Sequence, residues 1–319
     1  MSEPVVAVCI VTFNSDRYIE NCLDHLSRQT WPAVRTVVID NASADRTVEL
    51  IRSHPYSVKL MVNERNNGFA GGQNQAIAAA EDAAYILTLN ADVALEPDYI
   101  SQLVKVLEGS PSIGSATGCL RLSDAPDRMD SGGIAVNWAR RAWDRGAGEP
   151  VSDYTSAQDV FGVSGAAGLY ARRMIEAISI EDQFFDEDFF AYKEDVDVAW
   201  RAGLLGWRSR YEPLAQAVHV RQWQSSASRK RMPLVVRRHS YINRYLMLIK
   251  NGRMQGLEWL KLPAHFFYEA ALTVYFLIKD PRVLGGWVTM RQLIPNAFRK
   301  RRILKAMERQ ASSGLSVKR

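Results

Sequence analysis

Four times before residue 93 the chain repeats one pattern: a short apolar run, an abrupt polar exit, then a stretch with helical spacing. Val5 to Val11 closes in Thr12-Phe13-Asn14, after which Tyr18, Ile19, Cys22, Leu23 and Leu26 recur at helical intervals behind a Ser15 cap. Thr36 to Ile39 closes in Asp40-Asn41-Ala42-Ser43-Ala44-Asp45 before a second helical stretch. Val58 to Val62 runs into Asn66-Asn67-Gly68-Phe69-Ala70-Gly71-Gly72, with a helix expected from about Gln73. Tyr85 to Leu89 ends in Asn90-Ala91-Asp92, with the next helix near Pro97. Unbroken apolar runs of this length suit strands covered on both faces, and strand-helix repeats imply a parallel sheet with right-handed crossovers. The chain is therefore expected to be α/β, a Rossmann-like, mostly parallel sheet flanked by helices. All four polar exits then share one edge, the edge where open α/β sheets bind ligands.

That edge suggests the chemistry. A carboxylate such as Asp92 can hold a hard divalent cation against phosphate oxygens, although Asn90 and Asp92 could equally form a turn or cap the following helix. Backbone amides of Gly68 to Gly72 could approach an anion, or the glycines could simply permit a tight turn. No Gly-Lys-Ser/Thr follows, which excludes a Walker loop, and the first strand lacks the Gly-x-Gly-x-x-Gly of a dinucleotide site. Cys9, Cys22 and Cys119 have no metal-type spacing and imply a reducing compartment; Cys9 and Cys22 read as core. Val5 to Val11 passes straight into a helical pattern, which argues against a secretory leader.

Farther on, Ser115 to Leu122 reads as a strand and Ser123 to Tyr154 as a polar excursion of the kind that forms binding loops or lids. Val160 to Ser164 is expected to resume the sheet, ahead of the small residues Gly165-Ala166-Ala167-Gly168. The stretch from Phe184 to Asp197 crowds six acids, Asp186, Glu187, Asp188, Glu194, Asp195 and Asp197, among aromatics. Their mutual repulsion calls for a cation or for Arg and Lys partners. A helix from Glu194 would make Asp197 and Arg201 an exposed i,i+4 pair. His219 lies in the apolar stretch Ala217 to Val220, open to a core role or to metal ligation.

In this order, Val11-Thr12-Phe13-Asn14, Val38-Ile39-Asp40-Asn41-Ala42-Ser43, Asn66-Asn67-Gly68-Phe69-Ala70, Leu89-Asn90-Ala91-Asp92, Gly165-Ala166-Ala167 and Glu194-Asp195-Val196-Asp197 resemble glycosyltransferase family 2, the inverting nucleotide-sugar transferases of the GT-A fold. The resemblance covers roughly residues 5–223 and is closest to the branch with bacterial rhamnosyltransferases and galactofuranosyltransferases. It implies that Thr12, Asn14, Asp40 and Asn41 belong to the nucleotide pocket, with Asp40 facing a pyrimidine edge, and that Asn67 and Gly68 lie near nucleotide or sugar. Asn90, Ala91 and Asp92 match the family's Asp-x-Asp, with Asn in the first place, leaving Asp92 as the charged ligand. His219 matches a position that completes the metal site for Mg²⁺ or Mn²⁺. Asp195 matches the catalytic base, with Gly165, Ala166 and Glu194 on the acceptor side. The implied donor is a nucleoside diphosphate sugar, dTDP-rhamnose or a UDP-sugar, and the acceptor a glycan or lipid-linked glycan. A noncatalytic nucleotide-sugar-binding subunit is the alternative of another class.

A transferase domain over 1–225 is expected to be followed by a helical region over 226–319. Leu257 to Met290 reads as two amphipathic helices, and from Gln292 onward eight Lys and Arg face a single acid, Glu308. Basic residues beside aromatic amphipathic helices suit an anionic membrane surface, implying a cytoplasmic protein peripheral to the inner face of the membrane. Packing on the domain, on a partner subunit or on another copy of the chain is the competing expectation. No nucleic-acid-binding module is recognisable.

Overall fold

The computed structural model describes residues 3–221, 232–253 and 262–316; the basic triplet Arg229 to Arg231 and the Leu257 to Lys261 lead-in lie outside them. The described residues fall into two compact units. The first comprises Met1–Ala135, Trp143–Phe190 and Glu194–Gln222.

The strands are β1 (Val6–Thr12), β2 (Val34–Asp40), β3 (Lys59–Val62), β4 (Tyr85–Asn90), β5 (Val93–Leu95), β6 (Ile113–Leu122), β7 (Met129–Ser131), β8 (Ile134–Val136), β9 (Ala142–Asp144), β10 (Gln158–Val160), β11 (Ala167–Ala171) and β12 (Arg208–His219). The main sheet runs β10-β12-β6-β11-β4-β1-β2-β3, with β5 pairing β12 and β7 pairing β6; β8 and β9 form a separate two-stranded ladder. The expected parallel half is present, since β4, β1, β2 and β3 are parallel neighbours. Beyond β4 the sheet is mixed: β11 runs antiparallel to both β4 and β6, while β12 is parallel to β6.

Burial explains the apolar runs of β1, β2 and β4; the run at β3, expected to be covered on both faces, is instead an edge strand with Met61 and Val62 exposed. In β1, Val6, Val8 and Ile10 pack on α1 (Ile19–Ser27), α2 (Thr47–Ser53) and α4 (Tyr99–Gly109). Ala7 and Cys9, pointing the other way, pack on α3 (Gly68–Ala78), α5 (Arg172–Ile178) and α6 (Glu194–Leu204). A strand clothed on both faces has no polar side to show, so period-two alternation disappears. All three cysteines are buried. Burial, only partly offset by Arg172, pushes the Cys9 thiol up to about 12, and burial together with the Asp92 charge raises Cys22 as well. Thiolate is the reactive form, so a thiol reagent should label none of the three in the folded protein and all three in denaturant. Rapid native labelling of even one would contradict this packing.

Two expected boundaries shift. Helix α3 begins at Gly68 rather than Gln73, and its glycines serve packing: a Cβ on Gly72 would lie 2.8 Å from both Val11 γ-carbons. The sheet does not resume over Val160 to Ser164, because β10 ends at Val160 and β11 starts at Ala167. The intervening backbone presses on α6, where a Cβ on Gly162 would meet the Ala199 Cβ at 2.1 Å.

The second unit comprises Val136–Ala142, Ala191–Lys193 and Trp223–Arg319. Its helices are α7 (Leu234–Asn251), α8 (Leu262–Lys279) and α9 (Gly286–Ser316). Asn243 donates to the carbonyls of Ala191 and Tyr192, and Arg244 to those of Ala139 and Arg140. The basic run Arg299 to Arg302 lies in the middle of α9; Lys300 is buried and Arg301 donates to the Ile249 carbonyl. No helix among the described residues is long and apolar enough to cross a membrane.

Candidate active site

Strand pairing brings together two residues that are far apart in sequence. β12 runs antiparallel to β5, with His219 opposite Val93, and the Val220 amide donates to the Asp92 carbonyl at 2.9 Å. This register sets His219 Nε2 3.3 Å from Asp92 Oδ1. The other ring nitrogen, Nδ1, lies 2.7 Å from Asp130 Oδ2, and Arg221 spans from Asp130 at 2.8 Å to Asp144 at 2.5 Å. Burial works against charge on the imidazole, but hydrogen bonds to Asp130 and Asp92, with their charges, override it and hold its pKa up at about 9. Asp130, Asp144 and Arg221 are additions to the residues expected from sequence. All but Arg221 come from the polar excursion at 123–154, whose strand β7 joins β6 and so carries Asp130 inward.

The donor set at Asp92 and His219 fits a hard divalent cation. One carboxylate oxygen and one imidazole nitrogen are as close as neighbouring ligands of one ion, and the second ring nitrogen is held by a carboxylate, the usual support for a ligating histidine. Among the described residues no group of three or more His, Cys, Asp or Glu is arranged to hold a metal.

The first three strand exits form a bonded framework. Thr12 lies opposite Asp40 in the β1–β2 ladder and both are fully buried. Asp40 Oδ1 accepts from the Thr12 and Ser43 hydroxyls, and Oδ2 accepts from the Ser43 amide. Asp40 thus organises the loop after β2 from beneath. Asn14, at φ 52, accepts from the Ala44 amide. Asn41 donates to the Gly68 carbonyl at 2.9 Å and accepts from Asn63 and from the Asn67 amide. Gly68 has φ +75, and a Cβ there would lie 2.4 Å from the Phe190 carbonyl oxygen, so this close approach requires glycine.

Asp195 is placed through the small-residue loop. Its Oδ2 accepts from the Gly165 amide at 3.2 Å and its Oδ1 from its neighbour Val196 at 2.7 Å. The next carbonyl, Ala166, accepts from the Asn90 amide at 2.9 Å, so Asp195 is anchored beside the β4 exit that leads to Asp92. Phe69 closes the other side: a Cβ on Gly165 would be 3.3 Å from its ring and 3.7 Å from the Asp195 Cβ. The buried Tyr170 phenol is raised well above its usual pKa by burial and by the charges of Asp195 and Glu194, so it stays protonated. Glu194 is itself buried.

Other members of the acidic run hold the scaffold. Asp186 caps the 187–189 turn through the Asp188 amide, and Glu187 accepts from Asn74 at 3.0 Å. Asp197 and Arg201, expected as an exposed pair, are instead 0% and 1% exposed in their side chains, 2.9 Å apart. Arg201 also donates to the Ile178 and Phe184 carbonyls at 2.5 Å, and those two bonds draw the pair into the interior. Phe190, Tyr192 and Lys193, just before Asp195, all have positive φ, the kind of backbone strain that clusters at functional sites.

Residues 7–177 match the family described as glycosyl transferase family 2. Over 237 residues, 67% of this chain and 76% of the relative, the protein is 27% identical to the N-acetylglucosaminyl-diphospho-decaprenol L-rhamnosyltransferase of Mycobacterium tuberculosis. The mannosyltransferase PcManGT from Pyrobaculum calidifontis, solved with GDP-Man and Mn2+, superposes with a TM-score of 0.57 at 18% identity, covering 98% of this chain and 87% of that one. TarS 1-349 of S. aureus gives 0.57 at 15% identity over 96% and 88%. These structures share the mixed, mostly parallel sheet flanked by helices, the GT-A fold. The chain belongs to glycosyl transferase family 2.

Proposed function

We propose that this protein is a metal-dependent inverting glycosyltransferase that moves a sugar from a nucleoside diphosphate to a glycan or lipid-linked acceptor, with dTDP-rhamnose as the leading donor. The observation that carries this reading is the Asp92–His219 pair beside an Asp195 carboxylate held on the Gly165 amide, all at one sheet edge. In a single displacement a base takes the acceptor hydroxyl's proton while a cation stabilises the departing diphosphate. Asp195 is assigned the first task. Asp92 and His219 would hold Mg²⁺ or Mn²⁺, the donor's phosphate oxygens completing the shell, and the ion would supply Lewis-acid stabilisation of the leaving group. Asp130 fixes the imidazole so that Nε2 faces Asp92, and the loops that the buried Thr12, Asp40 and Asn41 brace, with Asn14 and Asn67 on them, would form the nucleotide pocket. Support for rhamnose comes from the mycobacterial relative, an L-rhamnosyltransferase by name.

The test is a thermal-shift panel of nucleoside diphosphate sugars, UDP-galactofuranose and other UDP-sugars included, with and without Mn²⁺. A ligand that binds only the folded form raises the melting point, by about 2.7 kcal/mol of stabilisation at a hundredfold excess over Kd. Selective, metal-dependent stabilisation by dTDP-rhamnose is expected, and a flat panel would defeat the proposal. In the same assay Asp92→Ala should abolish the metal-dependent part of the shift. An undiminished shift would remove Asp92 from the metal site.

A further inference from the structure

We propose that the second unit docks on an anionic lipid surface through the outward face of α8 and the start of α9, lying on the bilayer without crossing it. The inference is independent of the transferase reading.

Helix α8 has two different faces. One is bound to α7: Glu269 pairs with Arg244, and the Phe276 ring sits 4.9 Å from that of Tyr241. The opposite face presents Phe266 72%, Phe267 71%, Val274 52%, Leu277 59% and Ile278 70% exposed. Positions 267, 271, 274 and 278 recur at helical spacing, so these side chains form one stripe, and Ala270 and Ala271 between them are also exposed. No charged residue lies on the stripe from Phe266 to Ile278. Val288, 68% exposed, follows in the first turn of α9. Contiguous exposed apolar surface of this kind marks a contact surface.

Charge selects the occupant. From Trp223 to Arg319 the sequence holds twenty Lys and Arg against four acids, Glu258, Glu269, Asp280 and Glu308, whereas residues 1–222 hold more acids than bases. The three acids among the described residues are each paired with an arginine: Glu269 with Arg244, Asp280 with Arg237, Glu308 with Arg253. Exposed Lys279, Arg282 and Arg291 follow the stripe. A second copy would set one strongly cationic surface against another. An anionic bilayer meets both requirements, taking the apolar side chains at the headgroup boundary and the cations at its phosphates.

The experiment is flotation of the full chain with phosphatidylcholine vesicles and with vesicles of equal parts phosphatidylcholine and phosphatidylglycerol. Binding to the anionic vesicles only, weakened by raised salt as screened charges require, is expected. The double variant Phe267→Ser, Ile278→Ser should weaken that binding by at least about tenfold, from the apolar area it removes. The variant's melting point, and its stabilisation by donor, should match those of the parent, which separates loss of docking from misfolding and from failure of the transferase reading. Equal binding to neutral vesicles, undiminished binding by the folded double variant, or a protein dimer that the variant disrupts without any vesicle binding would each overturn the proposal.

Discussion

Asp195→Asn should lower turnover by about 10² to 10⁴-fold while leaving donor binding intact, because a positioned base contributes that much to rate and little to ground-state affinity. Asparagine keeps the size of the side chain and one acceptor oxygen for the Gly165 amide, so the loop that joins Asp195 to the β4 exit should hold its shape. What is lost is the capacity to accept a proton. Release of nucleoside diphosphate, measured with donor and acceptor present, reads the rate; thermal shift with donor and Mn²⁺ reads the binding. Near-normal turnover would remove Asp195 from the role of base. An equal loss of turnover and of donor-dependent stabilisation would mean that the residue shapes the donor pocket.

The second large effect is on stability. Arg201→Met should cost about 3–5 kcal/mol, the usual range for breaking a buried pair by removing one partner. The variant strips Asp197 of its guanidinium and takes donors from the Ile178 and Phe184 carbonyls at once. Urea unfolding reads the loss directly. In the double variant Asp197→Asn, Arg201→Met the cost should be well below the sum of the two single changes, since each removes the same interaction. A loss under about 1 kcal/mol for Arg201→Met would place the pair with solvated surface bridges instead. The link to activity is positional: Arg201 fastens the end of α5 and the start of the acidic run to the helix on which Asp195 stands.

The parallel half of the sheet was readable because β1, β2 and β4 are buried on both faces over most of their length and leave short unbroken apolar runs, each followed by a polar exit and a helix, a repeat that also places the exposed edge strand β3. The antiparallel insertion of β11 between β4 and β6 was not, since Ala167 to Ala171 is short and its partners are chosen by register far away in sequence. Asp92 and His219 could be singled out by type and by resemblance, but their approach depends on β5 meeting β12. Asp130 carried no local signal: in sequence it is one more acid in a polar loop, and only the β6–β7 pairing turns it toward the imidazole. The opposite error befell Asp197 and Arg201. Their four-residue spacing reads as a surface pair, and hydrogen bonds to the Ile178 and Phe184 carbonyls, far from the pair in sequence, are what draw the guanidinium inside.

The order of strands in space has a consequence for synthesis. β6 lies between β11 and β12, both encoded after it. While the ribosome is still making the downstream chain, β6 has only the three-residue β7 to bond, and its backbone donors and acceptors stay available to any passing strand. Such nascent edges invite misassembly. The middle of this polypeptide is therefore the stretch for which prompt completion, or a chaperone's shelter, matters most.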